Sequence, residues 1–288
     1  MDTLLGPFAE FAFMRRALVS TLALALGSAP IGCLLVLRRM SLVGDAMSHA
    51  VLPGAAAAFL LAGMSLPALS LGGFVAAVLV ALAAGFVTRS TPQREDASFA
   101  AFYLIALALG VLLVSLRGSQ VDLMHLLFGS VLAVDDAALL QIAVVTSLTL
   151  WTLALLWRPL LLECADPGFL RSVGGPGAVV HMTLLVLLVA NLVSAFQAMG
   201  TLMAVGLMML PAATARFWVA RVLPMCLLAV AIGAVSGVAG LWLSYAAELP
   251  SGPCIVLSAG ALYLLSVLFG QRDGIVWRRL RRTVHRTA

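Results

Sequence analysis

Lysine is absent from this chain, and charged residues of any kind make up only 10 % of its 288 residues. A Walker A loop needs a lysine that reaches the nucleotide phosphates, so the chain cannot contain that ATPase motif. Soluble domains carry about 25 % charged residues, whereas this chain is 63 % hydrophobic with a mean hydropathy of +1.12. The composition therefore excludes an ordinary soluble domain and predicts an all-α membrane protein with several spans.

Cysteine is also scarce, and the four cysteines are scattered without C-x-x-C spacing. They support neither a disulfide framework nor a zinc knuckle. The formal net charge is +5, but every basic group is an arginine near the end of an apolar segment. That placement fits membrane orientation better than a phosphate-binding patch, so no nucleic-acid partner is expected.

Apolar segments of about 20 residues are needed to cross a hydrocarbon core of about 30 Å. Segment 199–215 is the weakest candidate because it is short and contains Pro211, so eight spans are an alternative to nine. Segment 122–134 is too short to span and is expected to lie at the interface. The predicted organisation is one transmembrane domain, 1–271, followed by a basic cytoplasmic tail, 272–288. The nine predicted spans are 17–37, 43–63, 66–88, 98–116, 137–157, 178–198, 199–215, 222–246 and 251–270.

Arginine counts predict the orientation. With the N-terminus outside, fourteen of the seventeen arginines lie in inner loops or the tail, and only Arg15, Arg16 and Arg117 lie outside. The inverted arrangement reverses that ratio, so the positive-inside rule favours a cytoplasmic C-terminus.

Asp45 and His49 are the most informative residues of the sequence. They stand four apart in an otherwise apolar segment, so a carboxylate and an imidazole share one face of a helix. An aspartate at the centre of a membrane helix costs about 2.5–3.5 kcal/mol, which is normally tolerated only beside water, a partner or an ion. The pair also has the chemistry of a divalent-metal site. A structural pair, in which the carboxylate orients a buried histidine, is the alternative.

Neighbouring residues extend this candidate site. Ser41 and Ser48 are expected to offer hydrogen bonds to the metal ligands. Pro53 and Gly54 are expected to break the helix and expose carbonyl oxygens. Elsewhere, His181 is interpreted as an interfacial anchor. Met199, Met203, Met208 and Met209 are interpreted as core packing rather than as a ladder of soft-metal ligands.

The stretch from Leu37 to Gly54, LRRMSLVGDAMSHAVLPG, resembles the signature of the ABC-3 type permeases, the membrane subunits of bacterial zinc and manganese importers. Three further stretches are similar: Phe128–Ser130, Gly200–Arg216 and Ser244–Pro253. The resemblance covers about Phe11 to Gly270. In the inner loop 166–174 the family pattern has alanine at the position of Leu170, which is a local departure.

The resemblance implies an inner-membrane permease with the architecture of the vitamin B12 importer. It implies a homodimer, two ATPase subunits on the cytoplasmic face and an extracytoplasmic metal-binding protein. No permanently bound cofactor is expected. The transported ion is expected to be Zn²⁺, or alternatively Mn²⁺ or iron, with Asp45 and His49 as metal ligands or gate.

The resemblance also indicates where partners dock. Pro211 is expected to end a helix, after which a short coupling helix over 212–222 would contact the ATPase. Loop 158–177 is the alternative coupling site. Glu248 and Asp122 are candidates for contact with the binding protein. The coupling residues are Pro211, Ala212, Ala213, Thr214, Arg216 and Arg221.

Three other functions remain open at this point. A proton-coupled secondary cation transporter would use Asp45 and His49 as a relay. A purely structural subunit would anchor ATPases without a conduit. A siderophore or cobalamin permease would share the architecture but would not need the ionisable pair.

Overall fold

The computed structural model describes Phe8 and residues 10–63, 65–115, 134–272 and 274–277. These residues form a helical bundle, as the composition predicts. The predicted interfacial segment 122–134, with Asp122, His125 and Phe128–Ser130, lies outside the described residues except for Val134, and so does the tail from residue 278 onward. The helices are α1 (Ala12–Leu37), α2 (Val43–Ala50), α3 (Leu52–Ala62), α4 (Leu66–Ser90), α5 (Glu95–Ser115), α6 (Asp136–Leu155), α7 (Trp157–Ala165), α8 (Pro167–Ser172), α9 (Gly177–Met199), α10 (Thr201–Arg216), α11 (Val222–Ala247) and α12 (Ser251–Phe269).

Among the described residues, eight segments are long and apolar enough to cross a membrane, with α2 and α3 counting together as one. The predicted ninth span, 199–215, forms the shorter helix α10 of 16 residues. At 1.5 Å per residue, α10 is about 24 Å long, less than the hydrocarbon thickness of about 30 Å. The alternative of eight full spans is therefore the better description.

Helix α10 still returns the chain from one end of the bundle to the other. It begins beyond Gly200, whose φ of 85° allows a sharp reversal after α9. It then runs in the same direction as α1, since Met208 and Ala212 lie against Gly32, and the Arg216 guanidinium donates to the Val36 carbonyl. The chain therefore enters α10 at one end of the bundle and leaves it at the other.

One end of the bundle collects arginines and is called the arginine-rich end. Arg38 and Arg89 both contact Glu163 there. Arg216 bonds to the last turn of α1, and the Arg272 amide donates to the Phe217 carbonyl. The opposite end is marked by an exposed ion pair between Arg16 and Asp136 at 2.9 Å.

The prediction that Pro211 ends a helix is wrong. Helix α10 continues through Pro211 to Arg216, and residues 217–221 form a turn and extended backbone rather than a coupling helix. Proline removes one backbone donor, but its ring packs beside Gly233 of α11, where space is available. Ala212 and Ala215 are fully buried in the same contact, so tertiary packing holds the helix together.

Small residues set the close contacts between helices, as expected where packing drives association in lipid. A Cβ on Gly32 of α1 would lie 2.0 Å from the Met208 carbonyl oxygen, and one on Gly240 of α11 would lie 2.3 Å from the Ile255 Cα. The four methionines interpreted as core packing are buried or packed against the core, which agrees with that interpretation.

We expect Gly32→Ala to destabilise the bundle by about 1–3 kcal/mol, the usual cost of overpacking, because the added methyl group meets backbone. Gly260→Ala is the matched control, since a Cβ there meets nothing within 4 Å. Thermal unfolding of the two purified variants in detergent measures the difference. Equal melting temperatures would contradict the close α1–α10 contact.

Candidate functional site

Helix α2 carries the predicted metal ligands, and its side chains divide sharply between two faces. Ala46, Met47 and Ser48 are buried against the rest of the subunit, whereas Asp45 is exposed and His49 is half-buried. Leu42, just before the helix, is 73 % exposed. The Asp45 and His49 side chains therefore lie on a face of α2 that the described residues leave partly open.

The helix is interrupted just after this pair. Helix α2 ends at Ala50, α3 begins at Leu52, and Pro53 occupies the first turn of α3. Because Pro53 has no N–H, it cannot donate the usual helical hydrogen bond to the carbonyl oxygen of His49. The predicted break at Pro53 is thus observed, and the His49 carbonyl accepts its hydrogen bond from a backbone N–H at the end of α2 instead.

Two neighbours shape the site. Tyr103 of α5 lies beside His49, with ring centroids 6.2 Å apart. Tyr103 is not predicted as a site residue from the sequence, because only the tertiary fold brings it close to α2. The Ser48 hydroxyl donates to the backbone carbonyl of Asp45 at 2.7 Å, so it is used within the helix, while Ser41 is exposed in the preceding turn.

One copy of this chain presents too few ligands for a metal ion. Within the described residues, no group of three or more His, Cys, Asp or Glu side chains could hold a metal. Asp45 and His49 supply two ligands, and structural or catalytic metal sites need at least three. In the part of the chain that the structure describes, a site built on this pair must therefore take its remaining ligands from water, backbone or another chain.

The large grooves of the bundle lie elsewhere. One of about 650 Å³ and another of about 520 Å³ run between α4, α6 and α9, and Phe74, Val145 and Leu148 line both. Their walls are mainly apolar, with Asp135, Gln141 and Ser194 among the polar residues that line the smaller groove. Neither groove includes Asp45 or His49 in its lining.

The other predicted residues are placed as follows. Pro211, Ala212 and Thr214 are buried, so they are not free to contact a partner, whereas Arg216 and Arg221 are exposed at the arginine-rich end. Glu248 is exposed where α11 ends, in a left-handed conformation.

His181 is not an interfacial anchor. It is 1 % exposed, and its Nδ1 contacts the Arg38 guanidinium. The anchor interpretation failed because its partner lies far away in the sequence. Beside this group, burial raises the pKa of the Cys164 thiol to about 11, which keeps that thiol protonated at neutral pH.

Comparisons with known proteins agree with this architecture. The family model described as the ABC 3 transport family matches residues 10–270. The manganese transport system membrane protein MntC of Halalkalibacterium halodurans is 34 % identical over 270 residues, 93 % of this chain and 91 % of that protein. A probable iron transport system membrane protein of Haemophilus influenzae is 32 % identical over 94 % of this chain and 98 % of its own length.

The fold also matches a solved structure. PsaBC from Streptococcus pneumoniae, solved in complex with a Fab, superposes with a TM-score of 0.81 at 31 % identity, covering 97 % of this chain and 98 % of that one. The all-α membrane fold predicted from the sequence is thereby confirmed.

The exposure pattern of α2 leads to a test of what covers it. If two copies meet across this face, Asp45→Cys in a variant without native cysteines should form a disulfide-linked dimer when membranes are oxidised. Ala46→Cys is the control, since Ala46 is only 6 % exposed and faces its own subunit. Non-reducing electrophoresis reports the result. Equal cross-linking of both variants, or of neither, would argue against a symmetric contact at Asp45.

Proposed function

This chain belongs to the ABC 3 transport family, and we propose that it is the permease subunit of an ATP-driven importer whose cargo is manganese. Relatives that carry names for manganese or iron transport match nearly its whole length. The alternative from the sequence, manganese or iron, is therefore better supported than zinc.

The open face of α2 is the observation that carries the proposal. Two copies related by a twofold axis would bring two Asp45 carboxylates and two His49 imidazoles together. Each chain alone would leave these groups exposed to lipid at a cost of several kcal/mol. A metal ion between the copies offsets that cost, and opening the contact on one side at a time would pass the ion across the membrane.

The ligand set is compatible with manganese. Mn²⁺ favours carboxylate, carbonyl and water oxygens, whereas imidazole suits zinc and iron and thiolate suits zinc and copper(I). The choice of manganese over zinc therefore rests on the relatives. The four described cysteines are buried, and none lies on α2. The two Asp45 carboxylates, one from each copy, supply the oxygen ligands.

Metal binding also needs the His49 ring to be held in one orientation. Tyr103 lies beside that ring, with the two ring planes tilted by 31°, so it occupies space next to the imidazole. The role proposed for Tyr103 is therefore to position a ligand rather than to be one.

ATP hydrolysis belongs to a separate subunit, because this chain has no lysine for a Walker A loop. Helices α7 and α8 offer that subunit a docking surface at the arginine-rich end. Leu162, Phe169 and Val173 are 39 %, 51 % and 62 % exposed there. Of the coupling segment expected from the sequence, Arg216 and Arg221 remain available for the same contact.

The arginine-rich end is proposed to face the cytoplasm, in keeping with the positive-inside rule. The opposite end then meets the extracytoplasmic binding protein, with Glu248 exposed on it. Family membership disfavours a proton-coupled secondary transporter, which would need neither an ATPase nor a binding protein.

We expect Asp45→Asn and His49→Ala each to abolish manganese uptake by the complete complex in proteoliposomes, while the subunit still assembles with its ATPase. Each change removes one ligand type from both copies. Asp96→Asn is the control, because Asp96 is an exposed acid on α5 that is not part of the pair. Uptake of radioactive Mn²⁺ measures the effect, and wild-type uptake by both site variants would refute the proposed ion path.

The orientation generates a separate prediction. In a variant without native cysteines, Glu248→Cys should react with an impermeant maleimide added to intact cells. Ser172→Cys, exposed on α8, should react only after the membrane is opened. The reverse pattern would show that the arginine-rich end faces outward.

A further inference from the structure

Five polar side chains from five parts of the fold meet at the arginine-rich end, and Asp45 and His49 are not among them. This group is called the charge cluster. It consists of Arg38, Arg89, Glu95, Glu163 and His181. Two guanidinium groups face two carboxylates, so the formal charges balance.

Arg38 lies at the centre of the charge cluster, in the turn that joins α1 to α2. Its side chain is 8 % exposed, and its Nη2 donates to Glu95 Oε1 at 2.8 Å. Its Nη1 contacts His181 Nδ1. Because arginine has only donors, that nitrogen of His181 must accept, which leaves the ring proton on Nε2.

Glu163 of α7 is shared between the two arginines. Its Oε1 lies 2.6 Å from Arg89 Nη2 and 4.0 Å from Arg38 Nη1. The Glu163 side chain is 2 % exposed, yet its Oε2 has no hydrogen-bond partner, and neither do Arg89 Nε and His181 Nε2. The carboxylate is thus bonded to Arg89, with a second cation close by and a free oxygen.

This arrangement is not expected to add much to the folding stability of the bundle. Buried ion pairs are often no better than apolar residues of the same volume, and unsatisfied buried polar atoms add a cost of about 1–3 kcal/mol each. Glu163 Oε1 is already 4.0 Å from Arg38, and Oε2 is unused, so a closer pairing with Arg38 is within reach of the same carboxylate. An exchange between a close pairing with Arg89 and a close pairing with Arg38 would be the two-state element that a switch requires.

The positions of Glu163 and Arg38 indicate how such a switch would connect α7 to α2. Glu163 follows the exposed Leu162 on α7, beside the surface proposed to meet the ATPase. Arg38 opens the turn into α2, and that turn is tightly built. Arg39 has a φ of 61°, and the Met40 amide donates to the Leu35 carbonyl at 2.9 Å. A pull on Arg38 is therefore transmitted to the start of the helix that bears Asp45 and His49.

We propose that Glu163 is a positioning residue that couples the ATPase to the ion gate, by exchanging its ion pair between Arg89 and Arg38 as α7 moves. The proposal rests on the proposed function, because it assumes that an ATPase subunit moves α7. Glu163 touches neither the cargo nor the nucleotide. It sets the position of α2 relative to α7.

Glu163→Gln tests this directly, since it keeps the shape of the side chain and removes the negative charge that attracts Arg38 and Arg89. We expect the variant complex to assemble and to hydrolyse ATP at the wild-type rate, with manganese uptake reduced about tenfold, a size typical of coupling between distant sites. Glu163→Asp keeps the charge and should restore part of the uptake. Asp96→Asn, an exposed acid at the same end, should leave uptake unchanged.

A distance measurement separates coupling from stability. A spin label at Leu42→Cys, one on each copy in a background without native cysteines, reports on the start of α2. In the complex with wild-type Glu163, we expect ATP binding to shift the distance between the two labels, and Glu163→Gln should remove that shift. No shift with wild-type Glu163, or an equal shift in the Gln variant, would overturn the proposal.

This readout also distinguishes the two proposals. If ATP binding changes the label distance in the wild-type complex but not in Glu163→Gln, and the wild-type complex does not take up manganese, the cargo assignment fails and the coupling role stands. If manganese is taken up normally by Glu163→Gln, the coupling role fails and the cargo assignment stands.

Discussion

The cost of placing ionisable groups in a bilayer is the constraint on which this structure depends. Only 10 % of the residues are charged. Each charged side chain that lies in the hydrocarbon region must be paired or must face water, an ion or a second chain. The bundle meets this requirement in two places. At the arginine-rich end, Arg38 and Arg89 are matched by Glu95 and Glu163. On α2, Asp45 and His49 have no such match among the residues that the structure describes, and this is why the proposed ion path lies between two copies rather than through one.

The charge cluster and the Asp45–His49 pair are joined by a short stretch of chain. The turn that follows Arg38 leads directly into α2, so the buried ion pairs and the exposed metal ligands lie on consecutive parts of one chain segment. Elsewhere in the bundle the packing is close where glycine allows backbones to approach, as at Gly32 of α1 against α10. In this account the fold supplies a closely packed frame, an unpaired site that needs a cation and a paired site that responds to a neighbour.

Sequence reasoning predicted the helical fold, eight or nine spans, the shared face of Asp45 and His49 and the break at Pro53, because each follows from local spacing or hydropathy. It failed where distant contacts decide the outcome. Pro211 lies inside α10 because Gly233 and the neighbouring core accommodate its ring. Tyr103 and Glu163 carry no local signal, and their partners lie far along the chain. The metal preference was also beyond the sequence, since an aspartate and a histidine suit zinc and manganese alike, and only relatives favoured manganese.

The central claim is that two copies of the chain share one metal ion between their α2 faces. Equilibrium binding of Mn²⁺ to the purified complex, followed by the loss of the free-ion electron paramagnetic resonance signal, tests it most directly. The account predicts one bound Mn²⁺ for every two chains, and loss of that binding in both Asp45→Asn and His49→Ala. One ion per chain, or binding that survives both substitutions, would contradict a site built from paired α2 helices.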